Sequence, residues 1–365
     1  MVIQHLKEII KRIPGTEELY YLIAMLGNRF DPAAEPPIPS SVMIELNNTC
    51  NLHCQMCGTT SARRKKGMMD FNEYHHLIQE IGTLGIRNIT LYTHGEPLLY
   101  PHLPQAIGLA KAQGITVSIS TNGNLLSETL GSELLDAGLD VLRYSIEGAS
   151  KSSYERIRRG GNFDRLLVHM QQFKRLRDQR RAKTAIHLNT IVMAETEPEL
   201  KEFIQLYSPL VDSMHFSVLS NQAGSYTLFE QSATTSFSHR KKFPCGLLWK
   251  TFIVNWDLTI TACCVDFHGE LLVGDLRTSA LKEIWLGETY QRFRDLHREG
   301  LYGRMPLCGA CNKNVLSKFS RFRFDRKIHR NYRGYFRFSS APWQGNVPSF
   351  PTRSDQEETY VTKGE

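Results

Sequence analysis

No apolar run in this 365-residue chain approaches the roughly 18 residues that a membrane-spanning helix requires, and no basic leader followed by a long apolar stretch opens it. Both absences point to the reducing cytosol. A cytoplasmic protein is therefore expected, with its eight cysteines serving as ligands or hydrogen donors rather than in disulfides. Acids are scarce in one region only: residues 312–338 hold nine Lys or Arg against the single acid Asp325. The formal net charge of +7 belongs to that stretch, and the remainder of the chain is close to neutral. Aliphatic residues thin out further on, so residues 326–365 read as a basic-aromatic and then polar tail, mobile or wrapped on the rest. The length suits one catalytic domain of about 200 residues with a small satellite.

What the chain does have is alternation. Residues 1–40 combine an amphipathic stretch, a Pro14-Gly15 break, an apolar run from Leu19 to Leu26 and a Pro-rich linker, and read as a helical extension. Short β-branched or aliphatic runs follow at 42–46, 88–93, 115–120, 141–146, 185–192 and 213–218. Between them lie amphipathic stretches of helical length at 71–83, 103–113, 127–136, 162–178 and 197–206. Successive βα units around a parallel sheet produce this pattern. Six units over residues 41–220 predict an α/β fold with a partial (β/α)6 TIM barrel. The two further units of a closed barrel are missing, and residues 221–242, rich in Ser, Thr, Gln and Gly, read as a linker. Beyond 243, short strands at Thr251–Asn255 and Thr259–Ala262, a helix near 280–298 and four spaced cysteines predict a small metal-stapled module over 243–325, because so short a segment buries little core.

The segment Cys50-Asn-Leu-His-Cys54-Gln-Met-Cys57 puts three thiolates on one tight loop at the C-terminal end of the first strand, the end where such barrels place their chemistry. Thiolates suit iron–sulfur clusters and zinc alike. Structural zinc is closed by paired ligands, whereas three cysteines without a near fourth leave a coordination position open. The C-x3-C-x2-C pattern after Val42-Met43-Ile44-Glu45-Leu46 resembles the radical S-adenosylmethionine (SAM) superfamily. That resemblance implies a [4Fe–4S] cluster held by Cys50, Cys54 and Cys57 and binding SAM through its open iron. It also implies reductive cleavage of SAM to a 5′-deoxyadenosyl radical, hydrogen abstraction from a substrate, and an electron donor such as a flavodoxin or ferredoxin.

The resemblance extends over about residues 41–220. Thr93-His94-Gly95-Glu96-Pro97 is similar to the family's Gly-Gly-Glu-Pro, with His94 in place of the first glycine and Glu96 as an acceptor for the SAM ammonium. Ser120-Thr121-Asn122-Gly123 ends the third strand, where Ser120 and Asn122 would reach the ribose or the methionyl end. Ser145-Ile146-Glu147-Gly148 ends the fourth and looks like the family's Ser-x-Asp-Gly; the arginine that follows is Arg158, a partner for the SAM carboxylate. Asn189 on the fifth strand would face the adenosine. Singly, each is an ordinary turn or a solvated helix face; their order along successive strand ends carries the resemblance.

Cys245, Cys263, Cys308 and Cys311 can close a second cluster with full cysteine ligation. Their spacing, with Gly274-Asp275-Leu276 and Lys282-Glu283-Ile284-Trp285, resembles the shortened "twitch" form of the SPASM extension, and among its bearers the amino-sugar dehydrogenases. An auxiliary [4Fe–4S] cluster is implied, structural zinc and a redox-silent, merely structural cluster being the alternatives. Leu258 departs from the glycine often found before the second ligand. Cys264 remains over: neighbours on a strand point to opposite sides, so it reads either as a small buried residue or as a hydrogen donor to a substrate radical. His53, His94, His187, His215 and His268 are candidate proton acceptors with nothing to choose among them. Residues 318–338 interleave arginine with rings, a footprint compatible with nucleic acid, an acidic membrane surface or a nucleotide-linked sugar; packing against the protein's own core is the preferred reading, and no nucleic-acid partner is expected. The expected reaction is dehydrogenation of a small polar substrate, a sugar or aminocyclitol. A radical epimerase using Cys264, a peptide-modifying maturase, and a noncatalytic iron–sulfur or zinc protein are the alternatives.

Overall fold

The computed structural model describes residues 35–226, 228–233, 242–312 and 335–337. Most of the expected N-terminal extension, the middle of the linker and nearly all of the tail lie outside them. Six strands, β1 (Ser41–Ile44), β2 (Asn88–Thr90), β3 (Thr116–Thr121), β4 (Val141–Ser145), β5 (Ala185–Val192) and β6 (Ser213–Val218), stand side by side in chain order. Every neighbouring pair is parallel. Helices α1 (Phe71–Thr83), α2 (Leu103–Ala112), α3 (Glu128–Asp136), α4 (Lys151–Ile157), α5 (Phe163–Gln179) and α6 (Leu200–Tyr207) connect them. Sequence periodicity predicts all of these except α4, which is too short to show a period and is started by a reciprocal Ser150–Ser153 capping box.

Alternation along the strands separates two layers. Side chains of β4 and β5 are half-buried and buried by turns along their whole length. The buried set, Leu142, Tyr144, Ile186 and Leu188, joins Leu166, Met170 and Phe173 of α5 in one core. The half-buried set, Arg143, Ser145, His187 and Asn189, is on the opposite, concave face, as the period of two requires. An apolar convex face under helices and an accessible polar lumen follow from that one pattern.

The barrel stays open. Strand β7 (Thr251–Val254) pairs in parallel with β1, Ser41 opposite Thr251 through Ile44 opposite Val254. Strands β8 (Thr259–Thr261) and β9 (Leu272–Asp275) continue antiparallel from it. At the other edge β10 (Tyr335–Arg337) adds antiparallel to β6. The segment that reads in sequence as a separate module thus continues the barrel's own sheet. All four β7 residues are buried, and a strand buried on both faces needs a neighbour on each edge. Leu258, in the β7–β8 turn, has φ 66°, the left-handed region where glycine is the unstrained choice, which explains why glycine is common at this position and leaves the leucine strained.

The described part of the 221–242 stretch, read as a linker from its composition, packs. Leu219, Tyr226 and Phe229 of short helix α7 (Phe229–Ser232) form a small core with Leu52, Cys54, Met56 and Ile157, under the cysteine loop. After α8 (Leu247–Lys250), the helix expected near 280–298 is two helices, α9 (Leu281–Leu286) and α10 (Glu288–Arg298), divided at Gly287. Arg294 of α10 is fully buried: it donates to the Leu248 and Trp285 carbonyls at 2.9 and 3.0 Å and lies 4.3 Å from the Trp285 ring and 4.7 Å from that of Tyr290. Helix α11 (Pro306–Ala310) ends beside Cys311. Among the described residues no helix is long and apolar enough to cross a membrane.

Candidate cluster and cofactor sites

The first cysteine loop leaves β1 and docks on the end of α4. His53 N–H donates to the Arg159 carbonyl at 2.8 Å and Gln55 N–H to that of Ile157 at 2.9 Å, so the unexpected helix seats the loop. Three polar side chains then reach its sulfurs. Cys57 Sγ donates to Thr59 Oγ1 at 3.2 Å. Asn122 Nδ2 stands 3.9 Å from Cys50 Sγ while donating to Asn51 Oδ1 at 2.9 Å. Arg158 Nη1 stands 3.6 Å from Cys54 Sγ and its Nε donates to Glu147 at 2.6 Å. The sequence suggests Arg158 as a partner for the SAM carboxylate; here its guanidinium bridges Glu147 and Cys54, and sequence alone could not show that Glu147 turns back onto it.

The turn after β2 is tied to the same loop. Gly95 has no room for a side chain, since a Cβ would collide with the Asn47 carbonyl, and Asn47 Nδ2 donates to the Glu96 carbonyl at 2.9 Å. Buried Pro97 begins a single turn. The Glu96 carboxylate is almost wholly buried and already accepts from Thr121 Oγ1 at 2.6 Å, Asn122 N at 2.9 Å and Leu98 N at 3.2 Å. These bonds fasten the ends of β2 and β3 together. Ser120 and Ser145 share a hydrogen bond at 3.0 Å across the lumen face, and the Asn189 side chain, in register with Ser145 and His215, keeps its amide unpaired among the described residues. Of the candidate histidines, His215 is lowered by burial and therefore neutral at pH 7, and His187 pairs with Ser213.

The second cysteine set surrounds a cavity lined by Cys245, Cys263, Cys264, Cys308 and Cys311 with mainly apolar neighbours such as Leu248, Ala262 and Leu271. The sulfurs ring this space without converging on a point: among the described residues no group of three or more His, Cys, Asp or Glu could hold a single metal ion. The opposite-sides argument for Cys264 does not hold. Strand β8 ends at Thr261, residues 263–264 lie in the turn beyond it, and both line the same cavity. His297, unremarked in the sequence because it sits on an ordinary amphipathic helix, is the polar contact here. It accepts from Cys245 N–H through Nδ1 at 3.1 Å, which leaves the proton on Nε2 to face Cys308 Sγ at 3.4 Å. Burial, followed by the charge of Lys242, lowers its pKa to about 4, so the ring is neutral.

Burial pushes the Cys50 and Cys308 thiols up to about 12 and raises Cys54 and Cys263 too. Buried thiols that cannot ionise unaided fit metal ions, which stabilise the thiolate directly. The two regions also touch. A Cβ at Gly58, directly after Cys57, would clash with the Phe267 ring; that ring lies 4.6 Å from the His94 ring. His94 faces Glu45 through Nδ1 at 3.0 Å and the Cys264 carbonyl through Nε2 at 3.1 Å. Glu45 also accepts from Arg64 at 3.1 and 2.7 Å. Burial opposes its charge, yet the bonds from His94 and Arg64 prevail and hold its pKa at about 2.

Comparison with known proteins matches residues 44–207 to the Radical SAM superfamily and residues 245–312 to SPASM, an iron–sulfur cluster-binding domain. The chain carries a radical SAM domain followed by a SPASM domain. [4Fe–4S] clusters and SAM are accordingly its cofactors. It is 24% identical over 280 residues, 75% of this chain and 92% of the relative, to the S-adenosyl-L-methionine-dependent 2-deoxy-scyllo-inosamine dehydrogenase of Niallia circulans. It is 32% identical over 168 residues to a GTP 3′,8-cyclase of Chlorobaculum tepidum, but there the match spans 45% of this chain and only 49% of the relative. In fold it is similar to BtrN in complex with AdoMet and 2-DOIA, with TM-score 0.55 and 21% identity over 76% of this chain and 94% of that one. It is similar also to Streptococcus suis SuiB bound to precursor peptide SuiA, with TM-score 0.59 and 13% identity over 74% and 69%.

Proposed function

We propose that this radical SAM protein is a dehydrogenase for a small polyhydroxylated substrate held in the barrel lumen. The carrying observation is a half-open lumen face lined by Ser120, Ser145, His187, Asn189 and His215 beside two separate, touching cysteine sites. Similarity to the inosamine dehydrogenase along nearly its full length supports the same reading, whereas the likeness to SuiB speaks for the fold alone. Cys50, Cys54 and Cys57 would hold the SAM-binding cluster, and four of the cysteines around the second cavity the auxiliary one. When bound, these groups supply the radical that takes a hydrogen atom and the acceptor that takes an electron. The chain's own share is orientation and proton removal. Lumen side chains orient a polyol beside the adenosine that Asn189 would face, and neutral His215 accepts the hydroxyl proton as the carbonyl forms. Cys264 borders the auxiliary cavity, which favours oxidation over hydrogen return by an epimerase.

The test is anaerobic reconstitution with SAM and dithionite, screened against aminocyclitols and sugars. One 5′-deoxyadenosine per ketone formed is expected. Solvent deuterium at the product carbon without a change of oxidation level would establish an epimerase instead.

A further inference from the structure

Among the described residues, five buried or half-buried arginines have partners within the chain: Arg64 with Glu45, Arg158 with Glu147, Arg177 with Asp212, Arg298 with Asp295, and Arg294 with two carbonyls. Arg143 differs. It lies at the middle of β4 between Leu142 and Tyr144, both fully buried in the helix layer, so its side chain is on the lumen face with Ser145. In register it stands between Ser120 on β3 and His187 on β5, one step below the layer of Ser145 and Asn189. It is half-buried and makes no hydrogen bond or ion pair among the described residues. The carboxylates nearest the lumen rim are committed elsewhere: Glu45 to Arg64 and His94, Glu96 to three donors, Glu147 to Arg158. A guanidinium partly withdrawn from water is costly without a counter-charge, and the described residues supply none.

We propose that Arg143 is the subsite for an anionic group of the substrate, a carboxylate or a phosphate. Its planar fork matches either group with two parallel N–H···O bonds, and the neighbouring Ser120 hydroxyl can add a third donor. The substrate class narrows from polyols in general to acidic or phosphorylated ones; an ammonium group at this position would meet like charge. The inference rests on the lumen being the substrate site, as the dehydrogenase reading holds.

The test is isothermal titration of the reconstituted, SAM-loaded holoenzyme with glucose, glucuronate and glucose 6-phosphate. At least one anionic probe should bind about tenfold or more tightly than glucose, and Arg143→Gln should abolish the preference. Whether glucuronate or glucose 6-phosphate binds better names the group. Arg143→Lys, which keeps the charge without the fork, should retain part of the preference and covers the case of a poorly folded Gln variant; iron content and melting temperature report folding for both. A wild type without anion preference, or a folded Arg143→Gln that keeps it, overturns the proposal. Failure of the dehydrogenase reading shows separately, as ketone-free product or no 5′-deoxyadenosine from the wild type.

Discussion

The two cysteine sites are built in opposite ways. The first is local: three thiols within eight residues, seated by α4 and approached by Asn122 and by the Arg158–Glu147 pair. The second is assembled from three distant segments around a mainly apolar cavity, with neutral His297 reaching one sulfur. A site with polar handles suits a cluster that must also receive a zwitterionic cofactor. An apolar site suits one that only exchanges electrons, since few dipoles must reorganise when its charge changes.

The largest effect comes from removing one site and leaving the other. Replacing Cys50, Cys54 and Cys57 together with Ala should abolish 5′-deoxyadenosine formation while about four of about eight irons remain. Cys308→Ala should do the reverse, sparing SAM cleavage and losing oxidised product. Iron analysis with product quantitation decides, and loss of both clusters in either variant would mean that the sites are not independent.

Next comes the clamp on which only the assembled site depends. Arg294→Ala leaves the Leu248 and Trp285 carbonyls without their donor and opens space between two rings, which should cost about 3 kcal/mol. Thermal unfolding measures that cost, and the expected companion is selective loss of the auxiliary iron. Unchanged auxiliary iron would show that the cavity keeps its shape without the clamp.

Legibility followed the same division. The strands, the first loop and the partial barrel could be read because their signals are local: period two, period 3.6, and three cysteines in eight residues. The second cysteine set was visible only through its spacing. That β7 joins β1, that Glu96 and Arg158 spend their charges within the chain, and that Cys264 shares the cavity with Cys263 depend on which distant groups meet. Leu258 lies between these cases: its departure was visible in sequence, but only its positive φ shows what it costs.

A smaller effect tests the apolar character of the second site. In His297→Phe the ring bulk stays and the N–H facing Cys308 Sγ goes. Donation to a cluster sulfur favours the more negative, reduced state, so the auxiliary reduction potential should fall in the variant and the first cluster's should stay unchanged. An EPR-monitored redox titration reads both, and a shift of the two potentials together would contradict the separation of the sites.

The smallest effect concerns the join between the regions. Glu45 has a folded pKa of about 2 against an ordinary value of 4.5, so it binds a proton more readily in the unfolded chain. Its contribution to stability is present above the unfolded value and is lost as the pH falls through about 2. His94→Gly, which installs the glycine typical of the family, removes one of the bonds that depress this pKa and leaves those from Arg64. Stability at pH 7 should drop by about 1–2 kcal/mol. The gap from the wild type should narrow as the pH is lowered from about 4.5 toward 2, because protonated Glu45 has less to lose with its partner. Urea unfolding at several pH values measures this. A gap that stays constant with pH would mean that His94 supports the join only by packing on Phe267, with no share in holding the Glu45 charge.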